Sequence, residues 1–417
     1  MMLAVGFCGD WFIFTCYTKL VAVHTTQSRE AFVFDCSTAD KKIKNTQDNN
    51  NSYSLLNSDG TSEEPGSDSI LAFAVSPSDK FLALTDDAKR LVLFHCDPSW
   101  QCISIRYVVR RCTSLVFTQA EDELLVADKS GDVYSFSVEE PQREGELKMG
   151  HLSMLLAVTM SPDNRYIITA DRDEKIRVSH LKSPYNIQSF CLGHKQFVSA
   201  LLVPSAQPHY LLSGSGDGTL MLWDYESGQR LQSLDLGELV DPPSSEFHKD
   251  RKLTVSRINS SPDGHYIAVQ CERASSVQFL TLQQESEEKL VPHSRLLLPY
   301  CPLDMTFDTE GRLWVLMDSD DAPLQVYRHT HSSWECDSVI PELNTVTEAF
   351  RQHWERLEAS TRTSSNSEHL YTTSFDNVAL YLQKKKQRLE EQQLKRTLIQ
   401  ESNNTKKKSG SGAASSS

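Results

Sequence analysis

The sequence lacks the features of membrane, secreted and metal-binding proteins. No segment reaches the roughly 18 uninterrupted apolar residues that a membrane-spanning helix needs. The apolar stretch 1–23 contains Asp10 and has no cation before Lys19, so it does not resemble a secretory signal. The 10 cysteines are scattered without a C-x-x-C pair, which argues against a metal site or a disulfide framework. We therefore expect reduced core cysteines, no bound metal, no membrane partner, and a location in the nucleus, with the cytoplasm as a second possibility.

Motifs of catalysis are missing as well. The sequence contains no P-loop, no H-E-x-x-H and no G-x-S-x-G. Gly214, Gly216 and Gly218 imitate a phosphate-binding loop, but a strand pattern follows them where a dinucleotide site needs a helix. We interpret them as a hairpin turn. The sequence predicts no catalytic residue and no cofactor held by this chain.

What the sequence does contain is an internal repeat. Residues 126–138, 169–180 and 213–224 each combine a small residue, a polar turn and a short apolar strand. Gly-His pairs precede the last two segments, and Trp223-Asp224 closes the third. A G-H pair, an Asp-containing turn and a terminal W-D at a period of about 40–45 residues are the signature of WD40 repeats. The predicted closing positions of successive units are Phe34, Phe94, Phe136, Ser179, Trp223, Phe279 and Tyr327.

Seven apolar hairpins accompany these seven closing strands, which predicts seven blades. The hairpins span residues 3–14, 72–84, 115–126, 158–169, 201–212, 258–269 and 305–315. Without the polar insert 40–69, the loop 237–250 and everything after residue 340, 296 residues remain, or about 42 per blade. We predict an all-β, seven-bladed WD40 β-propeller over residues 1–340 with a C-terminal, α-helical, basic extension.

Several polar residues of the repeats could imitate a catalytic constellation. We interpret them as a buried hydrogen-bond network that fixes the blade turns. These residues are His151, His194, Asp173, Asp217 and Trp223.

The regions outside the repeats have their own composition. The insert 40–69 is rich in Asn, Ser and Asp and cannot bury enough surface to order itself, so we expect a disordered loop. Residues 341–357 place apolar side chains three and four apart, which predicts an amphipathic helix docked on the propeller flank. The helical extension is predicted to cover 341–400, and the end, 401–417, to be disordered.

The net charge of −14 is unevenly distributed. Residues 384–417 hold nine Lys or Arg and three Glu, a net of +6, so the preceding residues carry −20. A basic segment on an acidic body favours contact with RNA phosphates, although a nuclear import signal or a solvated helix has the same composition. Aromatic residues are absent after Tyr381, so base stacking is not expected. The predicted RNA-binding residues are Lys384, Lys385, Lys386, Arg388, Lys395 and Arg396.

Some stretches are more specific than WD40 repeats in general, among them 84–94 (LTDDAKRLVLF), 150–158 (GHLSMLLAV), 169–179 (TADRDEKIRVS) and 373–385 (TSFDNVALYLQKK). Together they resemble the non-catalytic WD-repeat subunit of the tRNA (guanine-N7-)-methyltransferase. The resemblance implies a heterodimer in which a separate subunit binds S-adenosylmethionine and methylates a guanine in the tRNA variable loop. The chain itself would hold that subunit in an active shape and help to bind tRNA.

The resemblance also implies a partner-binding surface. Its residues are Lys129, Asp171, Arg172, Asp173, Glu174, Lys175 and Arg177. Charges of both signs favour an interlocking protein contact, because a phosphate-binding surface would carry mostly one sign. Two other functions remain open at this point: a WD40 substrate-recognition adaptor, for instance of a ubiquitin ligase, and a propeller enzyme.

Overall fold

Short apolar strands joined by tight turns pair in sequence order, so each run of four strands forms one antiparallel sheet, or blade. The computed structural model describes residues 3–27, 29–39, 67–240, 253–283, 286, 288–319, 321–330, 333–353 and 367–371. Within these ranges seven four-stranded sheets are present. We letter the strands of each blade a to d in chain order. Strand a of one blade contacts strand a of the next, which places the a strands at the centre of a ring.

The strand boundaries follow the repeat. Blades one to four consist of Val5–Cys8, Trp11–Cys16, Lys19–His24 and Phe32–Asp35; Ile70–Val75, Phe81–Asp86, Arg90–His95 and Gln101–Tyr107; Cys112–Phe117, Glu123–Asp128, Asp132–Ser137 and Glu146–Gly150; Leu155–Met160, Tyr166–Asp171, Lys175–His180 and Ser183–Leu192. Blades five to seven consist of Val198–Leu202, Tyr210–Ser215, Thr219–Asp224 and Gln229–Asp235; Val255–Ser260, Ile267–Cys271, Ser276–Leu282 and Leu290–Leu297; Pro302–Phe307, Leu313–Met317, Leu324–His329 and Trp334–Cys336.

Burial follows position within a blade. Strand b of blade four, Tyr166–Asp171, is buried at every residue, because neighbouring blades cover both of its faces. The outer strand Ser183–Leu192 is mostly exposed. The core therefore lies between blades, in apolar clusters that each combine two adjacent sheets.

The seven-bladed propeller predicted from the sequence is confirmed, with one error in the first blade. Each predicted hairpin lies in strands a and b of a blade, and six of the seven closing positions lie in a strand c. Phe34 was assigned wrongly, because it lies in strand d, whereas strand c is Lys19–His24. The turn before that strand contains Tyr17 at φ 53°, a left-handed conformation that a tyrosine does not signal in the sequence.

The ring closes between blades seven and one without exchange of a strand, because each blade is one continuous run of chain. At the centre, the backbone N–H of Val5 donates to Asp304 Oδ2 at 2.8 Å. The same carboxylate pairs with Arg257, whose Nε lies 2.6 Å from Asp304 Oδ1. Three blades therefore meet at one buried carboxylate.

Helix α2 (Pro341–Arg351) covers the closure outside the centre; α1 (Gly237–Val240) is a single turn after blade five. Pro341 opens α2, where its missing N–H costs nothing. Val346 and Phe350 are fully buried with residues of blades one and seven. The rings of Phe350 and Phe14 lie 4.8 Å apart. The predicted helix on the propeller is confirmed over 341–351, and its last predicted positions, 354 and 357, lie outside the described residues.

The insert is ordered at its end. Ser67 donates to Asp87, and Asp68 lies 2.5 Å from the buried Arg90. The prediction that 40–69 is disordered is therefore wrong for 67–69, because these residues complete the polar turn of blade two. Residues 40–66 and 241–250 lie outside the described ranges. Among the described helices, none is long and apolar enough to cross a membrane.

Candidate docking surface on blades three and four

The linker histidine of blade five heads a buried polar network. His194 Nε2 lies 2.7 Å from Ser213 Oγ, which also accepts a 2.8 Å hydrogen bond from Trp223 Nε1. His194 Nδ1 lies 3.2 Å from Asp217 Oδ2. Burial alone raises the pKa of Asp217, but hydrogen bonds from His194 and Thr219 more than offset it and hold this pKa far below its usual value. The network fixes a turn, as predicted.

Blade four builds the same network from a different residue. His151 Nδ1 lies 3.0 Å from Asp171 Oδ2, and His151 Nε2 lies 2.8 Å from Thr169 Oγ1. Burial raises the pKa of Asp171, but the bonds from His151 and the backbone N–H of Lys175 dominate and lower it. The prediction that Asp173 belongs to this network is wrong, because Asp171 performs the role and the Asp173 side chain is 53% exposed.

The linker 151–154 joins the turns of blades three and four. The His151 N–H donates to Gly131 O at 2.7 Å, and the Arg172 N–H donates to Met154 O at 2.9 Å. Gly131 adopts φ 99° and a Cβ there would lie 2.6 Å from Ser153 O, so only glycine permits this approach. The turn that carries Lys129 and the turn 172–174 are thereby held on one face of the ring.

Strand c of blade four extends this surface outward. Lys175 and Arg177 alternate with the fully buried Ile176 and Val178, as predicted. Arg177 Nη1 donates to Gly150 O at 3.0 Å, which joins the strand to the end of blade three. Burial lowers the pKa of Arg177, with Asp171 opposing that shift.

Exposed apolar side chains flank these charges, and the sequence did not predict them. Phe190 and Leu192 lie opposite Arg177 and Lys175 in the strand register, and both are exposed. Leu152, in the linker, is 108% exposed. A charged strand flanked by exposed apolar residues is typical of an interface. Phe190 and Leu192 alternate with the buried Cys191, and this alternation could have indicated an exposed apolar face. The same pattern also occurs in a strand whose apolar face is buried, so the sequence does not distinguish the two.

We call the resulting surface the mixed patch. It comprises Lys129, Leu152, Asp173, Glu174, Lys175, Arg177, Phe190 and Leu192.

Two of the predicted partner-binding residues have other roles. The Asp171 side chain is 3% exposed and cannot present its carboxylate to a partner, so its assignment as a contact residue is wrong. Arg172 Nε donates to the carbonyl of Leu370 at 3.1 Å. The predicted RNA-binding residues, 384–396, lie outside the described part of the chain.

The described residues offer little that resembles a catalytic site. One cavity of about 400 Å³ lies among the inner strands of blades five to seven. Its lining side chains, such as those of Asn259, Pro262 and Phe307, include no titratable group. Within the described ranges, no cluster of three His, Cys, Asp or Glu side chains is arranged to hold a metal ion.

Comparisons with known proteins agree with this picture. The WD40 repeats of RRP9 match with a TM-score of 0.59 at 16% identity, over 76% of this chain and 87% of that one. The family model for the tRNA methyltransferase TRM82 WD40 domain matches residues 18–147 and 137–341. Two relatives share the name tRNA (guanine-N(7)-)-methyltransferase non-catalytic subunit: wdr4 of Danio rerio, 58% identical over 90% of each chain, and WDR4 of Homo sapiens, 42% identical over 91% of this chain and 89% of its own. TRM82 of Meyerozyma guilliermondii is 33% identical over 74% of this chain and 78% of its own.

The fold defines a WD40 β-propeller, and the shared name of the relatives defines the class of non-catalytic subunits. The chain belongs to the TRM82 WD40 family, the non-catalytic subunits of tRNA (guanine-N(7)-)-methyltransferase.

Proposed function

We propose that this chain forms a heterodimer with a catalytic tRNA (guanine-N7-)-methyltransferase subunit and helps that subunit to bind tRNA. The partner carries S-adenosylmethionine and the reactive groups for N7-methylguanine formation in the variable loop. This chain contributes the mixed patch as the docking surface and its basic C-terminal segment as a tRNA contact. The shared name of the relatives, non-catalytic subunit, implies that another subunit is catalytic and supports the assignment.

The observation that carries the proposal is the assembly of the mixed patch by the linker 151–154. Two blades contribute, and the hydrogen bonds of His151 and Arg177 fix their relative position before any partner arrives. A surface that is rigid before binding loses little entropy on association. Such a patch suits stable docking.

The chemistry of the patch indicates what the partner presents. Asp173 and Glu174 would pair with cationic side chains of the partner, and Lys175 and Arg177 would pair with its carboxylates. The half-buried guanidinium of Arg177 is poorly solvated, so a carboxylate placed against it would gain more than at an open surface. Leu152, Phe190 and Leu192 supply the apolar area that charged pairs lack.

Arg177→Leu tests the surface directly. We expect a loss of affinity for the catalytic subunit of about 10- to 100-fold, since a charged hot spot costs roughly 1.4–2.8 kcal/mol when removed. Titration of the purified subunits measures it. Arg295→Leu is the matched control, because Arg295 is an exposed arginine on the outer strand of blade six. Equal affinity of the Arg177 variant and the wild type would contradict the proposed surface.

Deletion of residues 384–417 tests the tRNA contact. The six predicted RNA-binding residues would account for a fall of about 5 in the slope of log affinity against log salt, at roughly 0.9 per phosphate. Heterodimer formation should remain unchanged. If the deletion weakened dimerisation but left the tRNA affinity of the dimer formed at high subunit concentration unchanged, the segment would be part of the protein interface.

We also propose a nuclear location, because the run 384–388 has the composition of an import signal. Imaging a fluorescent fusion with and without this run tests that location.

A further inference from the structure

A short segment after the C-terminal helix docks on the face of the ring that carries the b–c turns. Residues 367–371 include one 3₁₀ turn, Glu368–Leu370. On blade four, Arg172 binds the carbonyl of Leu370 at 3.1 Å. On blade six, Arg273 lies 3.5 Å from Glu368, and Glu272 accepts a hydrogen bond from the Ser367 hydroxyl. Five residues thus touch blades that are not adjacent.

Tyr371 makes the deepest contact, between those two blades. Its hydroxyl donates to Gly216 O at 3.0 Å and lies 2.7 Å from the hydroxyl of the buried Thr254. Its ring meets that of Phe197 edge to face, with centroids 5.1 Å apart at 77°. Burial raises the pKa of Tyr371, so the phenol stays protonated and continues to donate.

Tyr371 is the last described residue before the basic segment 384–417. Lys384, the first predicted RNA-binding residue, lies 13 residues after Tyr371. Fully extended, 13 residues reach at most about 45 Å. If the whole segment 367–371 detaches, the preceding described contact is that of His353 beside Phe14, 31 residues before Lys384. That length reaches at most about 105 Å.

We propose that Tyr371 is a positioning residue, whose docking between blades four and six sets the point from which the basic segment departs and so concentrates it at the tRNA. This inference rests on the proposed function, because it requires that 384–417 contact tRNA. Arg172, in the turn of the mixed patch, binds the carbonyl of Leu370, so the last described residues lie at the edge of the proposed docking surface. Effective concentration falls with chain length to the power of about −3/2, so lengthening the tether from 13 to 31 residues dilutes the segment roughly fourfold.

The test uses the full heterodimer with tRNA, in two backgrounds: the complete chain and the chain ending at residue 383. In the complete chain, Tyr371→Ala removes the deepest contact that holds the segment 367–371 and should raise the Kd for tRNA by up to about fourfold, the value for complete detachment of the segment. Tyr371→Phe keeps the ring on Phe197 and should give a smaller rise in the same direction. In the shortened chain, neither substitution should change the Kd. Tyr225→Phe, which removes a 2.8 Å bond from a buried tyrosine hydroxyl to Pro208 O, is the matched control and should leave tRNA affinity unchanged.

The outcomes separate the two ideas. An unchanged Kd for Tyr371→Ala, in a protein whose tRNA affinity does fall on deletion of 384–417, overturns the positioning role and leaves the proposed function standing. Equal losses in both backgrounds show that Tyr371 acts through the propeller, which also overturns it. If the deletion alone leaves tRNA affinity unchanged, the proposed tRNA contact fails, and the positioning role fails with it.

Discussion

At the scale of single residues, blade four shows how one network can be built from two different positions. Blade five binds its linker histidine with Asp217, in the turn, whereas blade four uses Asp171, at the end of strand b. Because Asp171 binds the histidine in blade four, the network does not need Asp173, and the carboxylate of Asp173 is exposed. Sequence alignment of the turns pairs Asp173 with Asp217 and so assigns the role to the wrong carboxylate.

Asp171→Asn and Asp173→Asn form a matched pair that separates these roles. Asp171→Asn should lower the free energy of unfolding by about 1–3 kcal/mol, because it weakens charge-assisted bonds to buried donors. Asp173→Asn should change it by less than about 0.5 kcal/mol. Chemical denaturation of the two variants measures both values. Equal destabilisation would contradict the assignment.

The loss of stability caused by Asp171→Asn should depend on pH. The pKa of Asp171 is lowered in the fold, so its contribution to stability is complete above the unfolded pKa of about 3.9 and is lost as the pH falls towards the folded value. The stability gap between wild type and Asp171→Asn should therefore be constant from pH 7 to 5 and narrow below about pH 4. A difference in stability that grew as the pH fell would contradict a lowered pKa of Asp171 in the folded protein.

The charged half of the mixed patch was predictable and the apolar half was not. Asp173, Glu174, Lys175 and Arg177 stand together in the sequence, where a run of charges in a repeat attracts notice. Leu152 does not, because an apolar residue beside a linker histidine reads as core until the structure shows it fully exposed.

At the scale of elements, the repeat period in the sequence predicted the seven blades. The one wrongly assigned strand follows a turn whose residues do not indicate a turn. Six closing strands follow turns with polar or glycine residues, but strand c of blade one follows Tyr17 in a left-handed conformation. The sequence predicted a helix on the propeller flank, but not that this helix would cover the ring closure, where the first and last blades share no strand.

Phe350→Ala tests whether α2 stabilises the ring closure. Phe350 is fully buried between blades one and seven, so its truncation should cost about 3–5 kcal/mol. Glu348→Ala, on the exposed side of the same helix, should stay within about 0.5 kcal/mol of the wild type. Thermal unfolding of both variants is the measurement, and equal unfolding temperatures would show that α2 does not stabilise the closure.

At the scale of the whole molecule, the distribution of charge divides the chain into two parts. The residues before 384 carry −20, which disfavours broad contact of the propeller with a polyanion. The mixed patch suits a protein partner, and the +6 of residues 384–417 suits phosphates. The net charge of −14 is therefore the sum of an acidic and a basic part of the sequence.

The most direct test of the docking surface compares two leucines that end outer strands. Leu192 is 61% exposed within the mixed patch, and Leu297 is 69% exposed at the matching end of the outer strand of blade six. Leu192→Ser should weaken binding of the catalytic subunit by about tenfold, since a buried leucine in an interface core is worth about 1.5 kcal/mol. Leu297→Ser should bind like the wild type. Equal affinities for the two variants would contradict the assignment of blades three and four as the docking surface.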